Sequence, residues 1–212
     1  MRYLSCRDES NSGVVAEYLD QCERLVLEAL NPKYTYKYFP LDFCGEKPVL
    51  TDCPLSLEGK DIAAHLAGCR GVIILAATDG AGVDALIRRL QVENMAAAVI
   101  ADALAGAAVE EILNKAEVEI KERYGNMYFT ERYSPGYGDL PLNIQKTILN
   151  ILDAQKRIGL CVGSGGLLTP IKSVTAFIGV SKNPLRKERC RCDSCNMRET
   201  CRYRKEGKSC GL

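Results

Sequence analysis

Apolar and polar residues follow two different periods along the first half of the chain, and these periods predict both helices and strands. From Val14 to Leu30 apolar residues recur every three or four positions, which predicts a helix that ends at Asn31-Pro32. Residues 34–39 alternate and are rich in Tyr, as in a strand. Residues 40–54 have the composition of a loop, whereas residues 71–78 form an unbroken apolar run that predicts a strand buried on both faces.

The second half continues this mixture. An Ala-rich helical pattern covers residues 84–124, with a break expected near Gly106. Strand patterns at 127–133 and 173–180 enclose a helical pattern at 142–157. Because strands and helices do not alternate in regular βαβ units, the expected fold class is α+β, with a mainly antiparallel central sheet flanked by helices.

Charge divides the chain into two unequal parts. The last 32 residues, 181–212, hold ten Lys or Arg and four Asp or Glu, whereas residues 1–180 hold 18 basic and 23 acidic residues. A separate electrostatic unit is therefore expected at the C-terminal end. We predict a folded domain over residues 1–180 and a Cys-rich basic tail over residues 181–212.

Two features of the sequence predict the cellular location of the protein: its first residues and the length of its apolar runs. No signal peptide is expected after Met1-Arg2, and no apolar run approaches the ~20 residues of a membrane span. A cytoplasmic location without membrane association is expected. The cytosol keeps thiols reduced, so disulfides are not expected. Six cysteines outside the tail are expected to be buried as small apolar side chains: Cys6, Cys22, Cys44, Cys53, Cys69 and Cys161.

The tail concentrates the other five cysteines, and this spacing is typical of a metal site. They are Cys190, Cys192, Cys195, Cys201 and Cys210. An iron–sulfur cluster, a zinc ion and free thiols all remain open as interpretations. Cys192, Cys195 and Cys201 are the preferred ligands. One site does not easily use both members of a Cys-x-Cys pair, so Cys210 is favoured over Cys190 as the fourth.

A short segment rich in Pro, Gly and Tyr predicts a shaped loop. It runs Arg132-Tyr133-Ser134-Pro135-Gly136-Tyr137-Gly138-Asp139-Leu140-Pro141. Pro fixes φ and Gly permits unusual backbone shapes, so backbone N–H and C=O groups could face a ligand. Arg132 suits a carboxylate or a phosphate. On spacing alone, an ordinary turn with an Arg at its edge is the favoured interpretation.

Three blocks between residues 101 and 180 resemble the activation domain of cobalamin-dependent methionine synthase. The loop above resembles that family's S-adenosylmethionine-binding motif Arg-x-x-Pro-Gly-Tyr, which continues through Pro141 and Lys146. Upstream, Ala103-Leu104-Ala105 and Glu110 are similar to a family helix that carries a ligand-binding Glu. Downstream, Pro170-x-x-Ser173-Val174-Thr175 resembles the family's Pro-x-x-Ser-Val-Ser strand.

This resemblance implies a ligand, a reaction and partners. The implied ligand is S-adenosylmethionine, with Arg132 facing its carboxylate and Glu110 its ammonium, and with the loop's Ser134, Gly136 and Tyr137 also in contact. The implied role, in methionine biosynthesis, is to support reductive remethylation of an inactive cobalamin. The methyl group would come from S-adenosylmethionine, and one electron would come from a donor such as flavodoxin or ferredoxin.

The sequence also departs from the family pattern. It has one histidine, His65, and lacks the cobalamin-ligating motif Asp-x-His-x-x-Gly. Cobalamin is therefore expected on a separate methionine synthase subunit. Ile178 stands where the family has an aromatic contact, and the basic Cys tail lies outside the family pattern.

Two other functions remain as alternatives. The tail could make the protein an iron–sulfur electron-transfer activator of a corrinoid methyltransferase. It could instead make a zinc-tailed module that binds nucleic acid or protein. Only Tyr203 is aromatic in the tail, which argues against base stacking, so nucleic acid is not expected as a partner.

Overall fold

The computed structural model describes residues 12–163, 165–185, 199–201 and 205, with side chains described from Tyr18 onward. The helices are α1 (Ser12–Ala29), α2 (Lys60–His65), α3 (Ala81–Glu93), α4 (Met95–Tyr124), α5 (Gln145–Ile151) and α6 (Ala154–Ile158). The strands are β1 (Lys33–Cys44), β2 (Lys47–Leu50), β3 (Gly71–Thr78), β4 (Tyr128–Phe129), β5 (Cys161–Val162), β6 (Leu168–Thr169) and β7 (Ser173–Ser181).

The expected α+β class and antiparallel sheet are confirmed. Five strands form one sheet in the order β2-β1-β3-β7-β4, and every neighbouring pair is antiparallel. The central strand β3 is buried along its whole length, as its unbroken apolar run predicts. A separate hairpin joins β5 and β6.

Each face of the sheet packs against different helices. Alternate residues of β3 point to opposite faces. Val72, Ile74 and Ala76 join a core with α2, α5 and α6. Ile73, Leu75 and Ala77 join a second core with the C-terminal half of α4. The sheet thus lies between two helical layers.

A third core lies among helices only. The side chains of α1 and α3 pack with the N-terminal half of α4, around Ala101 and Ala105. The thiol of Cys22 on α1 lies 3.6 Å from the Ala97 carbonyl oxygen on α4. Helix α4, 30 residues long, therefore belongs both to this helical core and to the sheet core.

The expected break in the Ala-rich segment is in the wrong place. The backbone is extended at Asn94, with φ −158°, and the helix continues without interruption through Gly106. The Asn94 side chain accepts a hydrogen bond from the Ala97 N–H at 3.2 Å, so it caps α4. Asn94 is thus the residue at which α3 ends and α4 begins, whereas the sequence pattern predicts the break near Gly106.

The loop expected at residues 40–54 is also wrong. Strand β1 continues through Pro40 to Cys44 and forms a hairpin with β2. Pro40 is the last residue of β1 that pairs with β3, and from Leu41 onward β1 pairs with β2. The proline is tolerated because it marks this change of partner.

Two further elements are shorter than the sequence pattern predicts. The predicted helix at 142–157 is a 3-10 turn followed by α5 and α6, and Asp153 interrupts it with φ 50°, a left-handed conformation that Asp tolerates. The strand expected at 127–133 forms β4 at Tyr128–Phe129 and a separate bridge at Tyr133. The Thr130 N–H donates to the Gly179 carbonyl at 3.0 Å. Between these points the hydroxyl of Thr130 accepts the Gly179 N–H at 2.8 Å.

The expectation of buried cysteines is only partly correct. Cys22 and Cys69 are buried, whereas Cys53 and Cys161 are partly exposed and Cys44 is exposed. Cys44 ends β1 beside a hairpin turn, where its side chain is exposed. Cys6 lies outside the described residues. Among the helices of the described chain, none combines the length and apolar character that crossing a bilayer requires.

Candidate functional site

The loop after Arg132 consists of two tight turns. The Tyr137 N–H donates to the Ser134 carbonyl at 3.1 Å, with Pro135 and Gly136 at the central positions. Gly136 has φ 92°, so this is the type II turn that a Pro-Gly pair favours. The Gly136 N–H donates to the Leu140 carbonyl at 2.8 Å, which closes the loop.

The loop is also fastened to helix α2. The carboxylate of Asp139 accepts hydrogen bonds from the N–H groups of Lys60 at 2.6 Å and Asp61 at 3.2 Å. Gly138 has φ 52°, and a Cβ built there would lie 2.1 Å from an Asp61 carboxylate oxygen. The positive φ and this close approach both favour glycine at position 138.

Three aromatic side chains pack in a row at the loop: His65, Tyr133 and Tyr137. The rings of His65 and Tyr133 lie 4.9 Å apart, and those of Tyr133 and Tyr137 lie 6.0 Å apart in an edge-to-face arrangement. The Tyr133 hydroxyl donates to the Tyr137 carbonyl at 3.1 Å. Tyr137 itself is 55% exposed, so its ring is accessible at the surface.

Arg132 and Glu110 lie in direct contact. The Arg132 Nη2 atom is 3.0 Å from a Glu110 carboxylate oxygen. The Arg132 side chain is 22% exposed and that of Glu110 is 48% exposed. Because Glu110 lies on α4 and Arg132 directly precedes the loop, this ion pair joins the helix to the loop.

Two further side chains of α4 reach the same guanidinium. Asn114 Oδ1 lies 3.1 Å and Glu117 Oε1 lies 2.8 Å from Arg132 Nη1. Sequence analysis did not find these two residues, nor Asp139. The spacing of residues 110, 114 and 117 on one helix face is a signal for a shared partner. The partner is Arg132, and the sequence does not identify it because the contact depends on how α4 packs against the loop.

The expectation that loop amides face a ligand is wrong at two positions. The N–H groups of Gly136 and Tyr137 form the loop's own turns and are used internally. The structure places Ser134, which is partly exposed, and exposed Gly136 and Tyr137 in the loop that begins at Arg132. The exposed Tyr137 side chain remains as a means of contact for the loop.

A second charged cluster lies at the end of β3. Asp79 is fully buried, and neither of its carboxylate oxygens has a hydrogen-bond partner among the described residues. Burial raises the pKa of Asp79 to about 7; nearby Lys172 opposes this rise, and Asp84 adds to it. Lys172 forms an ion pair with Asp102 at 2.9 Å.

The predicted metal ligands lie almost wholly outside the described residues. Cys201 is described, with a free and partly exposed thiol. The other four are not described: Cys190, Cys192, Cys195 and Cys210. Within the described part of the chain, no group of three or more His, Cys, Asp or Glu side chains is arranged to hold a metal ion.

Comparison with known proteins connects this geometry to one solved structure. No protein-family model matches the chain, and no curated protein matches it. The crystal structure of the MetH reactivation domain bound to AdoHcy matches 95% of this chain and 75% of that chain, with a TM-score of 0.61 and 16% identity. The chain has the fold of the MetH reactivation domain.

That likeness agrees with the fold expected from the three sequence blocks. The blocks fall on α4, on the loop beginning at Arg132 and on β7. In this MetH-like fold β3 separates β7 from β1, and the Tyr133–Phe177 bridge fixes the loop to β7. At 16% identity, this likeness shows the fold alone.

Proposed function

We propose that this chain binds S-adenosylmethionine and acts as a reactivation domain for a cobalamin-dependent methionine synthase. The site consists of Arg132, Glu110 and the loop residues Ser134, Gly136 and Tyr137. The observation that carries the proposal is the Arg132–Glu110 pair, 3.0 Å apart, in a chain with the MetH reactivation fold.

The pair suits the amino-acid end of the ligand. S-adenosylmethionine carries a carboxylate and an ammonium on one carbon atom. The Nη2 side of Arg132 offers N–H donors for a carboxylate, and Glu110 offers an acceptor for an ammonium. The exposed Tyr137 ring offers a flat surface for the adenine. The MetH structure holds AdoHcy, which has the same amino-acid and adenosine ends.

The corrinoid belongs on a partner chain in this proposal. The sequence has a single histidine, His65, which packs on Tyr133 beside the loop, and it lacks the cobalamin-ligating motif. The partner's reduced corrinoid would supply the acceptor for the methyl group. This chain's residues would hold the methyl donor by its two ends and leave the sulfonium accessible.

The electron needed for reactivation would come from a donor such as flavodoxin or ferredoxin. An iron–sulfur cluster in the tail, ligated by Cys192, Cys195, Cys201 and Cys210 or Cys190, would provide a relay on this chain. The tail's positive charge would offset the negative charge of such a cluster. Zinc remains the alternative metal for the same ligands.

Calorimetry of the protein prepared without oxygen tests the proposal. We expect S-adenosylmethionine to bind, and we expect Arg132→Ala to weaken binding at least about 30-fold, since a paired charge is lost. Arg89→Ala is the matched control, because Arg89 is also paired with a Glu, at 3.7 Å, on the exposed face of α3. Equal affinity in Arg132→Ala, or no binding by folded wild type, would contradict the proposal.

The visible spectrum of the same sample addresses the second candidate, an iron–sulfur electron-transfer activator. The five tail cysteines are the observation that favours it. Brown absorbance together with ligand binding would support a reactivator with its own relay. Brown absorbance without ligand binding would support the electron-transfer function alone.

A further inference from the structure

Arg132 is held by three side chains from one face of α4. Residues 110, 114 and 117 occupy positions i, i+4 and i+7, so they lie in a row along the helix. Nη2 of the guanidinium contacts Glu110 at 3.0 Å. Nη1 contacts both Asn114 at 3.1 Å and Glu117 at 2.8 Å. The two ends of the guanidinium therefore have different partners.

The two acidic partners also differ in burial and in their other contacts. Glu117 is 23% exposed, about as buried as Arg132, whereas Glu110 is 48% exposed. The second carboxylate oxygen of Glu117 lies 3.3 Å from the Lys121 ammonium. Glu117 is thus fixed from two sides, and Glu110 is the outer and more accessible partner.

We infer that Glu117 is a positioning residue for the ligand's carboxylate: it holds Nη1 so that the Nη2 side of Arg132 can exchange partners. This inference rests on the proposed function. When an amino-acid zwitterion binds, Glu110 moves from Arg132 to the ligand's ammonium, and Arg132 takes the ligand's carboxylate. Glu117 and Asn114 keep the guanidinium in place during the exchange.

Charge balance explains why a second carboxylate is needed. Arg132, Glu110, Glu117 and Lys121 sum to zero, and the amino-acid end of the ligand also carries one positive and one negative charge. Exchange therefore leaves the site neutral. Without Glu117, the partly buried Arg132 would lose the carboxylate on its Nη1 side as well when Glu110 turned to the ligand, and a less well paired charge there is unfavourable.

The arrangement also predicts which ligands the site distinguishes. A ligand with both an ammonium and a carboxylate satisfies Glu110 and Arg132 together. A ligand that has only the adenosine part has no ammonium for Glu110 and no carboxylate for Arg132, so the Arg132–Glu110 pair stays intact when it binds. Glu117, which reaches the ligand only through Arg132, should therefore affect the first kind of ligand and not the second.

The test compares Glu117→Gln with Glu122→Gln, an exposed residue of the same helix. Calorimetry measures the affinity for S-adenosylmethionine and for 5′-methylthioadenosine, which lacks the amino-acid end, and a thermal melt without ligand gives the unfolding midpoint. We expect Glu117→Gln to lower S-adenosylmethionine affinity about fivefold or more. The midpoint and the 5′-methylthioadenosine titration should match those of Glu122→Gln.

Each other outcome overturns the inference in a distinct way. If wild type binds and Arg132→Ala does not, but Glu117→Gln binds like wild type, the positioning role is wrong and the proposed function stands. If affinity falls only in step with the unfolding midpoint, or falls equally for both ligands, the role of Glu117 is structural. If folded wild type does not bind S-adenosylmethionine, both the proposed function and the inference fail.

Discussion

Asp139 caps the N-terminus of helix α2 through the backbone N–H of Lys60, at a donor–acceptor distance of 2.6 Å. The two residues are 79 positions apart in the sequence, so this contact fixes the loop to a distant element. A carboxylate at a helix N-terminus also interacts favourably with the helix dipole. The loop's shape therefore depends on α2 as well as on its own turns.

Asp139→Ala should destabilise the protein by about 1 kcal/mol, as the loss of an N-cap does. It should also weaken S-adenosylmethionine binding, because the loop is no longer fastened to α2. Urea unfolding and calorimetry measure the two effects. Glu58→Ala removes a nearby exposed charge without removing a cap and is the control. An Asp139→Ala protein with wild-type affinity would show that the loop keeps its shape unaided.

Asp79→Asn should make stability less dependent on pH. Burial raises the pKa of Asp79 from 3.8 to about 7 in the folded state. Stability from the protonated carboxyl is fully present below about pH 4 and is lost as pH rises through 7. The variant should therefore gain roughly 2–4 kcal/mol over wild type at pH 8 and little near pH 4.

Urea unfolding at pH 4, 6 and 8 checks this expectation. Asp20→Asn, an exposed substitution on α1, is the control and should show no such trend. A gain in Asp79→Asn that is the same at all three pH values would mean that the ionisation of Asp79 is not responsible.

Gly138→Ala should be more harmful than Gly45→Ala. Both glycines have positive φ, 52° and 64°, so both substitutions strain the backbone by about 1 kcal/mol. Only at Gly138 would the new Cβ also overlap the Asp61 carboxylate and lie 2.5 Å from the Tyr133 hydroxyl, whereas Gly45 faces open space. We expect about 2–3 kcal/mol of destabilisation and weaker ligand binding for Gly138→Ala alone. Denaturant unfolding of the two variants gives the comparison, and equal losses would contradict it.

Cys195→Ser should lower the metal content of the protein and leave S-adenosylmethionine affinity unchanged. Cys195 is a preferred ligand of the predicted tail site, which is separate in sequence from the loop. Iron and zinc analysis, with the visible spectrum, measures the first effect. Cys44→Ser, which replaces an exposed thiol outside the tail, is the matched control. If both variants keep equal metal content, the tail does not hold the metal through Cys195.

The sequence predicts β3 and β7 because each contains a long apolar run, which is typical of a strand buried on both faces. The helix boundary at Asn94 was missed because a side-chain cap ends a helix without the glycine or proline that a pattern search uses. The β1–β2 hairpin was missed because Pro40 interrupts an otherwise apolar alternation. At the hairpin, cross-strand pairing outweighed local composition.

The candidate site was only partly predictable. Family resemblance supplied Arg132 and Glu110, and the structure brings these two together across 22 residues of sequence. Glu117, Asn114 and Asp139 carry no motif of their own, because their partners are chosen by how α4, the loop and α2 pack. A periodic polar face on a helix is visible in sequence, but its partner is not.

Helix α4 is one continuous helix of about 45 Å that contributes to two cores. Residues 97–105 stabilise the helical unit, residues 112–120 stabilise the sheet, and Glu110 lies between them. A helix shared in this way couples the melting of both units. A ligand held from α4 should accordingly raise the midpoint of a single cooperative transition, and a weakened α1–α3 contact far from the loop should reduce ligand affinity through the same helix.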